Sequence, residues 1–246
     1  MTTLFISDLH LDAGQPEIGE QFLRFLGRDA REAEALYILG DLFDAWLGDD
    51  DPNPYYGTMK SALRKLSDTG VPVYFMRGNR DFMVGDIFAA ETGCKILHDP
   101  TIVDLYGVRV VLCHGDALCT DDVQYQQIRA MTRNPDWQTM ILAKSLEERI
   151  AFALQAREAS KARGQAISDE IMDVNQDAVR AAFREHKVDT MLHGHTHRPA
   201  VHEVDLSGRK STRIVLGDWY TQGSVVRWDA DGPRLETMHR SQATPI

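Results

Sequence analysis

The sequence predicts an α/β protein: a four-layer α/β/β/α sandwich of two mixed sheets carrying a helical cap insertion. Three observations lead there. Five short β-rich apolar runs each stop at a cluster of Gly, Asp, Asn or His, and α/β folds place their chemistry in the loops at the carboxyl ends of strands. Helix-like stretches alternate with the first three runs, which implies parallel strands joined by right-handed crossovers. Two further pairs of runs flank short Gly-containing turns and read as hairpins, so a second sheet with antiparallel pairs is expected behind the first.

In chain order, Thr3 to Ser7 is the first strand and ends at Asp8-Leu9-His10. Glu17 to Arg28 reads as helix, Ala35 to Leu39 as the strand that ends at Gly40-Asp41-Leu42-Phe43-Asp44, and Thr58 to Asp68 as the next helix. Val71 to Met76 is the third strand, ending at Gly78-Asn79-Arg80-Asp81. Thr101 to Leu105 and Val108 to Cys113 flank Tyr106-Gly107 as a hairpin, and its second arm leads into His114-Gly115-Asp116. From Asp122 to Ile171 the chain has helical composition and no convincing strand, which divides it into a core of residues 1–121 and 172–246 and a cap of residues 122–171. A core helix near Asp173 to His186 precedes the strand Thr190 to His193, which stops at Gly194-His195-Thr196-His197. Ser224 to Trp228 and Arg234 to Thr237 form the last hairpin, and Ser241 to Ile246 reads as a loose tail.

A chain of 246 residues with 43% hydrophobic content can bury one large core. Its formal charge of −10 argues against nucleic acid as a partner, because phosphate-backbone binding needs a basic footprint. The amino-terminal residues have no basic n-region and run directly into Asp8, so a removable signal peptide is not expected and a cytoplasmic location is. Cys94, Cys113 and Cys119 are odd in number and lack CxxC spacing, which favours reduced structural thiols. No stretch approaches the length of about 20 apolar residues that a spanning helix needs, so membrane contact would be peripheral. A monomer is the working expectation.

The five motifs supply a set of metal ligands. Asp8 and His10 are separated by one extended residue, so both can face one ion. Asp41 has lone pairs to spare for two cations and is the natural bridge. Asn79 offers a neutral carbonyl oxygen, and His114, His195 and His197 complete seven metal-ligand candidates. Asp8, His10, Asp41 and His197 would hold one ion; Asp41, Asn79, His114 and His195 would hold the other. Hard oxygen and imidazole donors suit Mn²⁺, Fe²⁺ or Zn²⁺. Two such ions bind a water, lower its pKa and clamp phosphoryl oxygens for in-line attack, so the expected reaction is hydrolysis at phosphorus without a covalent intermediate. Asp44, Asp81 and Asp116 are expected to orient imidazoles or loop backbone. His193 should point away from the ions as a hydrogen-bonded core residue, and His98, His186, His202 and His239 lack any motif context.

These motifs resemble the calcineurin-like metallophosphoesterase superfamily, whose pattern D-x-H, GDxxD, GNH[DE], GH and GHxH is met except at Arg80. The usual histidine there helps an alkoxide depart. Arginine cannot donate a proton at working pH, but its fork of donors clamps phosphate oxygens, which suits a leaving group that is itself a phosphate monoester. The GNRD variant, the helical insertion, and the strings Ile171 to Gln176 and His193 to Ala200 are similar to one member family, the UDP-2,3-diacylglucosamine diphosphatases of lipid A biosynthesis. That resemblance implies Mn²⁺-dependent attack of water on the α-phosphorus, release of UMP and 2,3-diacylglucosamine 1-phosphate, and a peripheral place on the cytoplasmic face of the inner membrane. It implies catalytic roles for Asp41, Asn79, Arg80 and His195, and substrate contacts from Asn79, Arg80, Asp122, Arg157, Ser160 and His195. Family members carry Asn and Lys where this chain has Gly164 and Ile167, and Lys161 or Arg163 would have to supply the missing charge.

Between Arg129 and Arg163 seven Lys or Arg face four acids, a local excess of three positive charges in an acidic chain. This suits an anionic lipid surface or a diphosphate. The interleaved Trp137, Met140, Ile141, Leu146, Ile150, Phe152 and Leu154 either pack the cap or line a slot for acyl chains. Trp46 is either loop packing or a wall of the same cleft. Two rival readings stay open at this point: a soluble hydrolase of nucleotide-diphosphate conjugates without acyl chains, and a catalytically silent binding scaffold of the same fold.

Overall fold

The computed structural model describes residues 2–164 and 173–239, without the side chains of residues 159–164. The expectations at Ser160, Lys161, Arg163, Gly164 and Ile167, at Ile171 and Met172, and in the tail from Ser241, lie outside the described residues. The strands are β1 (Thr3–Ile6), β2 (Ala35–Leu39), β3 (Val73–Met76), β4 (Lys95–Leu97), β5 (Thr101–Leu105), β6 (Val108–Leu112), β7 (Thr190–His193), β8 (Ala200–Asp205), β9 (Lys210–Val215), β10 (Gly223–Asp229) and β11 (Gly232–Met238). The helices are α1 (Pro16–Gly27), α2 (Pro54–Ser67), α3 (Asp86–Thr92), α4 (Val123–Thr132), α5 (Pro135–Leu142), α6 (Leu146–Gly164) and α7 (Gln176–His186).

One sheet has six strands in the order β11-β10-β1-β2-β3-β4, the other five in the order β5-β6-β7-β9-β8. β1, β2, β3 and β4 pair in parallel, as the alternation with helices requires, and both hairpins form as expected. Each sheet is mixed, because β10 joins β1 antiparallel and β6, β7 and β9 run parallel.

Period-two alternation sorts the strand residues into layers. Leu4, Ile6, Leu36 and Ile38 join Ile18, Phe22, Leu63 and Phe88 of α1, α2 and α3 in one core. Phe5, Tyr37 and Leu39 face Val110, Leu112, Leu192 and Ile214 of the second sheet. Val111 and Met191 turn the other way, onto Val179 and Phe183 of α7. The order is therefore helices, sheet, sheet, helix, which is the expected four-layer sandwich. Its two sheets share an apolar interface that holds their carboxyl-end loops together along one edge.

Asparagine caps start three helices where a Pro or acidic residue follows. Asn53, Asn134 and Asn175 each accept from backbone N–H groups of the first turn, which satisfies donors that a helix leaves orphaned. The Asn53-Pro54 pair moves the start of α2 four residues ahead of the expected Thr58. Among the described residues the segment expected to be a cap contains α4, α5 and α6 and no strand. No helix there is long and apolar enough to cross a membrane.

Candidate active site

The five motifs lie at the carboxyl ends of β1, β2, β3, β6 and β7. Backbone bonds stitch the loops together: Asp8 N–H donates to the Gly40 carbonyl at 3.1 Å, His10 N–H to that of Asp41 at 3.0 Å, and Gly194 N–H to that of His114 at 2.9 Å. The loops are strained. Of the eight described non-glycine residues with positive φ, five are Asp8, His10, Asp41, His195 and His197. Left-handed backbone costs side chains energy and concentrates at functional sites. Gly78 is held to hydrogen by its surroundings, because a Cβ there would collide with the carboxylate and backbone nitrogen of Asp41.

Two groups of ligand atoms result. In the first, His10 Nε2 lies 3.1 Å from His197 Nε2, and His197 Nε2 lies 3.4 Å from Asp8 Oδ1. In the second, the Asn79 side-chain oxygen lies 2.9 Å from His114 Nε2 and 2.8 Å from His195 Nδ1. Asp41 stands between them, with Oδ2 3.9 Å from His10 Nε2 and Oδ1 3.7 Å from His114 Nε2. All seven expected ligands are brought together.

Several observations fit this cluster to divalent cations. His114 Nδ1 lies 2.8 Å from the Leu39 carbonyl, so it carries the proton and the Nε2 lone pair faces the Asn79 oxygen. Acceptor meets acceptor there unless a cation or a proton stands between. His10 Nδ1 is buried without a hydrogen-bond partner. Asp8, Asp41, Asp81 and Asp116 are 0, 2, 0 and 0% exposed, and buried carboxylates need compensating charge. Burial, reinforced by Asp81 and Asp8, pushes Asp41 up to about 7. For His114 burial is outweighed by Asp41, Asp116 and Asp8, which raise it to about 9. Burial likewise opposes ionisation of Asp8, but His197, His114 and His10 together hold its carboxyl well below the usual range. His10 and His195 are driven down by burial, to about 3 and about 4, so both rings are neutral and able to ligate. Excess buried acid beside neutral imidazoles is the donor set a divalent ion would complete.

The sequence model of the calcineurin-like phosphoesterases matches residues 1–199. The chain belongs to the calcineurin-like phosphoesterase family. Curated relatives include the UDP-2,3-diacylglucosamine hydrolase of Stenotrophomonas maltophilia strain K279a, 57% identical over 98% of this chain and all of the relative. The protein of the same name from Xanthomonas oryzae pv. oryzae strain PXO99A is 54% identical over 96% of this chain and 98% of its own length.

In this phosphoesterase the loops open into a cavity of about 720 Å³. Asn79, Arg80, His195 and His197 line it together with Phe82, Ile128, Met131, Trp137 and Phe152, and Asp122 and Arg157 also border it. Arg80 enters without an acidic partner among the described residues, and its backbone N–H holds Asp41 Oδ1 at 2.8 Å. Asp122 also caps α4 by accepting from Tyr125 N–H, and Arg157 forms an ion pair with Asp44. Trp46 is both things the sequence allowed: it packs against Phe43, Tyr56 and Phe88 and still borders the cavity. The apolar cap residues divide. Trp137, Ile141 and Phe152 line the cavity, while Met140, Ile150 and Leu154 are exposed.

Asp81 accepts from the N–H groups of Gly78, Asp41, Leu42 and Phe43 and so fixes two of the loops. His193 is buried, with Nδ1 2.8 Å from the Gly194 carbonyl and Nε2 3.2 Å from Arg213, which is the expected core role. Sequence reasoning missed Asp218, whose Oδ2 lies 3.5 Å from His197 Nδ1, and Tyr220, whose ring stacks on His10 at 5.4 Å. Ile214 to Leu216 followed by Gly217-Asp218 repeats the pattern of an apolar run ending at Gly-Asp and was a usable signal. The basic cap residues face inward more than the charge count suggested: Arg129, Arg133, Arg149 and Arg157 all pair with acids of the core loops.

Proposed function

We propose that this phosphoesterase hydrolyses the diphosphate of UDP-2,3-diacylglucosamine, water attacking the α-phosphorus to give UMP and 2,3-diacylglucosamine 1-phosphate. The observation that carries the reading is one cavity lined both by Arg80, Asn79, His195 and His197 and by apolar side chains of α4, α5 and α6. A head group with two phosphates and two acyl chains requires both kinds of lining at once. The names of the relatives point to the same substrate.

Asp8, His10, Asp41 and His197 would hold one ion, and Asp41, Asn79, His114 and His195 the other, with Mn²⁺ our assignment. Such ions acidify water toward neutral pH and neutralise charge on phosphoryl oxygens. The protein supplies the rest. Arg80 and Arg157 receive the diphosphate as fixed forks of donors, and Asn79 and His195 adjoin the reacting phosphoryl group. The bond between the α-phosphorus and the bridging oxygen breaks, and the oxygen leaves as part of a phosphate monoester. That leaving group is stable as an anion near pH 7, so Arg80 can replace a proton-donating histidine. Residues 122–171 act as the cap that receives the acyl chains, with Asp122 and Ser160 among the substrate contacts.

We assign the protein a peripheral place on the cytoplasmic face of the inner membrane, as a monomer. Val123, Ile128 and Leu154 are 61, 48 and 58% exposed on the cap helices, apolar groups that a membrane interface would cover. Flotation with phosphatidylglycerol vesicles should carry the chain upward at low salt; a chain left in the dense fraction refutes the placement.

The deciding experiment is Mn²⁺-supported hydrolysis of UDP-2,3-diacylglucosamine in detergent micelles in ¹⁸O water, with mass analysis of both products. Label in UMP supports attack at the α-phosphorus. Label in the lipid phosphate, or turnover of unacylated nucleotide sugars alone, overturns the chemistry or the substrate respectively.

A further inference from the structure

Tyr125, Arg129 and Arg133 stand at i, i+4 and i+8 along α4 and its carboxyl cap, one side chain per turn on one face. Together they reach the Gly78 carbonyl, Asp116 and Asp99 in the framework around Asn79, His114 and His195. Arg133 Nη2 donates to the Gly78 carbonyl at 2.9 Å, the peptide group that leads directly into Asn79. Asp81 grips the same glycine from its N–H side at 2.7 Å, so the orientation of the turn presenting Asn79 is fixed from both ends. Arg129 donates to Asp116 Oδ2 at 2.9 Å and to Asp99 Oδ2 at 3.3 Å. The other oxygen of Asp99 accepts the backbone N–H of His114 at 3.2 Å. The Tyr125 hydroxyl donates to Asp116 Oδ2 at 2.7 Å, and its ring lies stacked near that of His195, centroids 5.9 Å apart.

The other half of the site is supported without α4. Ser7 Oγ donates to Asp8 Oδ2 at 2.5 Å, Trp219 N–H to the Asp8 carbonyl at 3.3 Å, Asp218 faces His197, and Tyr220 stacks on His10. Those groups come from the β1 loop and the segment after β9, both part of the sandwich.

We propose that α4 frames one half-site only, with Arg133, Arg129 and Tyr125 as positioning residues for Asn79, His114 and His195. Occupation of that half-site and seating of α4 then favour each other, since coupling between two equilibria is reciprocal. Asp8, His10 and His197 bind independently of the helix. This rests on the two-ion reading given above. The contacts belong to the stronger kind, because Arg129 and Arg133 bring charge to a carboxylate and a carbonyl that are buried. Partners that orient metal ligands typically govern about 10–100-fold in ion affinity.

The test is stepwise Mn²⁺ binding to the full-length chain, followed by calorimetry and by the free-ion electron paramagnetic resonance signal. The wild type should take two ions. Arg133→Met should weaken one of them by about 10–100-fold and leave the other unchanged, and Arg133→Lys, which keeps a donor for the Gly78 carbonyl, should recover part of the loss. Amide exchange of residues 123–132 should slow in the wild type on loading of the ion whose affinity Arg133→Met lowers, and not in Arg133→Met. Equal weakening of both ions, or of neither, overturns the proposal. Arg149→Met is the control for general loosening of the cap, since Arg149 binds the Leu47 carbonyl and Asp50 instead; the same selective loss in that variant also overturns it. A wild type that takes fewer than two ions overturns the two-ion reading and this proposal with it, whereas two ions of unaltered affinity in Arg133→Met overturn this proposal alone.

Discussion

Asp41 directs one oxygen toward each group of imidazoles and is 2% exposed, so no neighbour can take its place. Asp41→Ala should abolish turnover and lower the bound ion content; normal turnover with full ion content would refute the bridge. Arg80 separates from that role, because its side chain lines the cavity while only its backbone touches Asp41. Arg80→Ala should lower kcat by about 10²–10³-fold, the usual loss when one preorganised charge partner is removed, with ion content intact by atomic absorption. Asp218→Ala should raise the Mn²⁺ concentration needed for half-maximal rate by about 10–100-fold, since Asp218 orients His197; an unchanged Mn²⁺ requirement would dismiss that function. The seven proposed ligands were legible because each follows an apolar run inside a motif that places Gly or a second such residue within two positions. Asp218 follows a run and a glycine as Asp41 does, but no second acid follows it as Asp44 follows Asp41, and it was passed over. Arg129 and Arg133 were read only as net charge, since a polar stripe on a helix looks the same in sequence whether it meets solvent or a carboxylate.

Burial alone did not decide which strands were legible. β2 and β7, inside their sheets, and the edge strand β5 were placed to the residue, whereas β8, an edge strand with four of six residues exposed, and its partner β9, inside the sheet, went unread because neither run ends at one of the five motifs or flanks a turn that was read as a hairpin. α3 and β4 are short, seven and three residues, too short for periodicity to register. The asparagine caps were also in the sequence and were not used: α2 and α7 begin after Asn53 and Asn175, not at the expected Thr58 and Asp173. The Asn175 side chain accepts from both Asp177 and Ala178 N–H, and Asn175→Ala should cost about 1 kcal/mol of stability, measured as a lower urea midpoint with an unchanged slope. The cap helices test the substrate rather than the fold. Phe152 lines the cavity, lies 5.9 Å from Trp137 and is 40% exposed, so Phe152→Ala should create little void in any core. It should raise KM for the diacylated substrate several-fold, each buried methylene carrying about 0.8 kcal/mol, and leave cleavage of a short-chain analogue unaltered. Equal losses on both substrates would make Phe152 a packing residue only.

At the scale of the whole molecule the proposed ligands come from both sheets: Asp8, His10, Asp41 and Asn79 from the loops after β1, β2 and β3, and His114, His195 and His197 from those after β6 and β7. With ions bound, the cluster would cross-link two sheets that also meet at that edge through apolar contacts and through the bonds from His114 Nδ1 to the Leu39 carbonyl and from Trp219 N–H to the Asp8 carbonyl, and the carboxylates of Asp8, Asp41, Asp81 and Asp116 are buried around it. Without a cation the native state bears their mutual repulsion, whereas the unfolded chain solvates them separately. An ion that binds only the folded chain stabilises it by about 2.7 kcal/mol at one hundred times its dissociation constant. For a chain of this size about 1 kcal/mol moves Tm by 2–4 °C, so one such ion is worth about 5–10 °C. Chelation by EDTA should lower Tm by at least that much, and added Mn²⁺ should restore it. Asp41→Asn should shrink the Mn²⁺-dependent increment while leaving the chelated variant no less stable than the chelated wild type, because it removes one buried charge from the repulsive set. A chelated variant much less stable than the chelated wild type would mean that Asp41 supports the fold directly, and the loops would then be held by packing rather than by the charge that the ions balance.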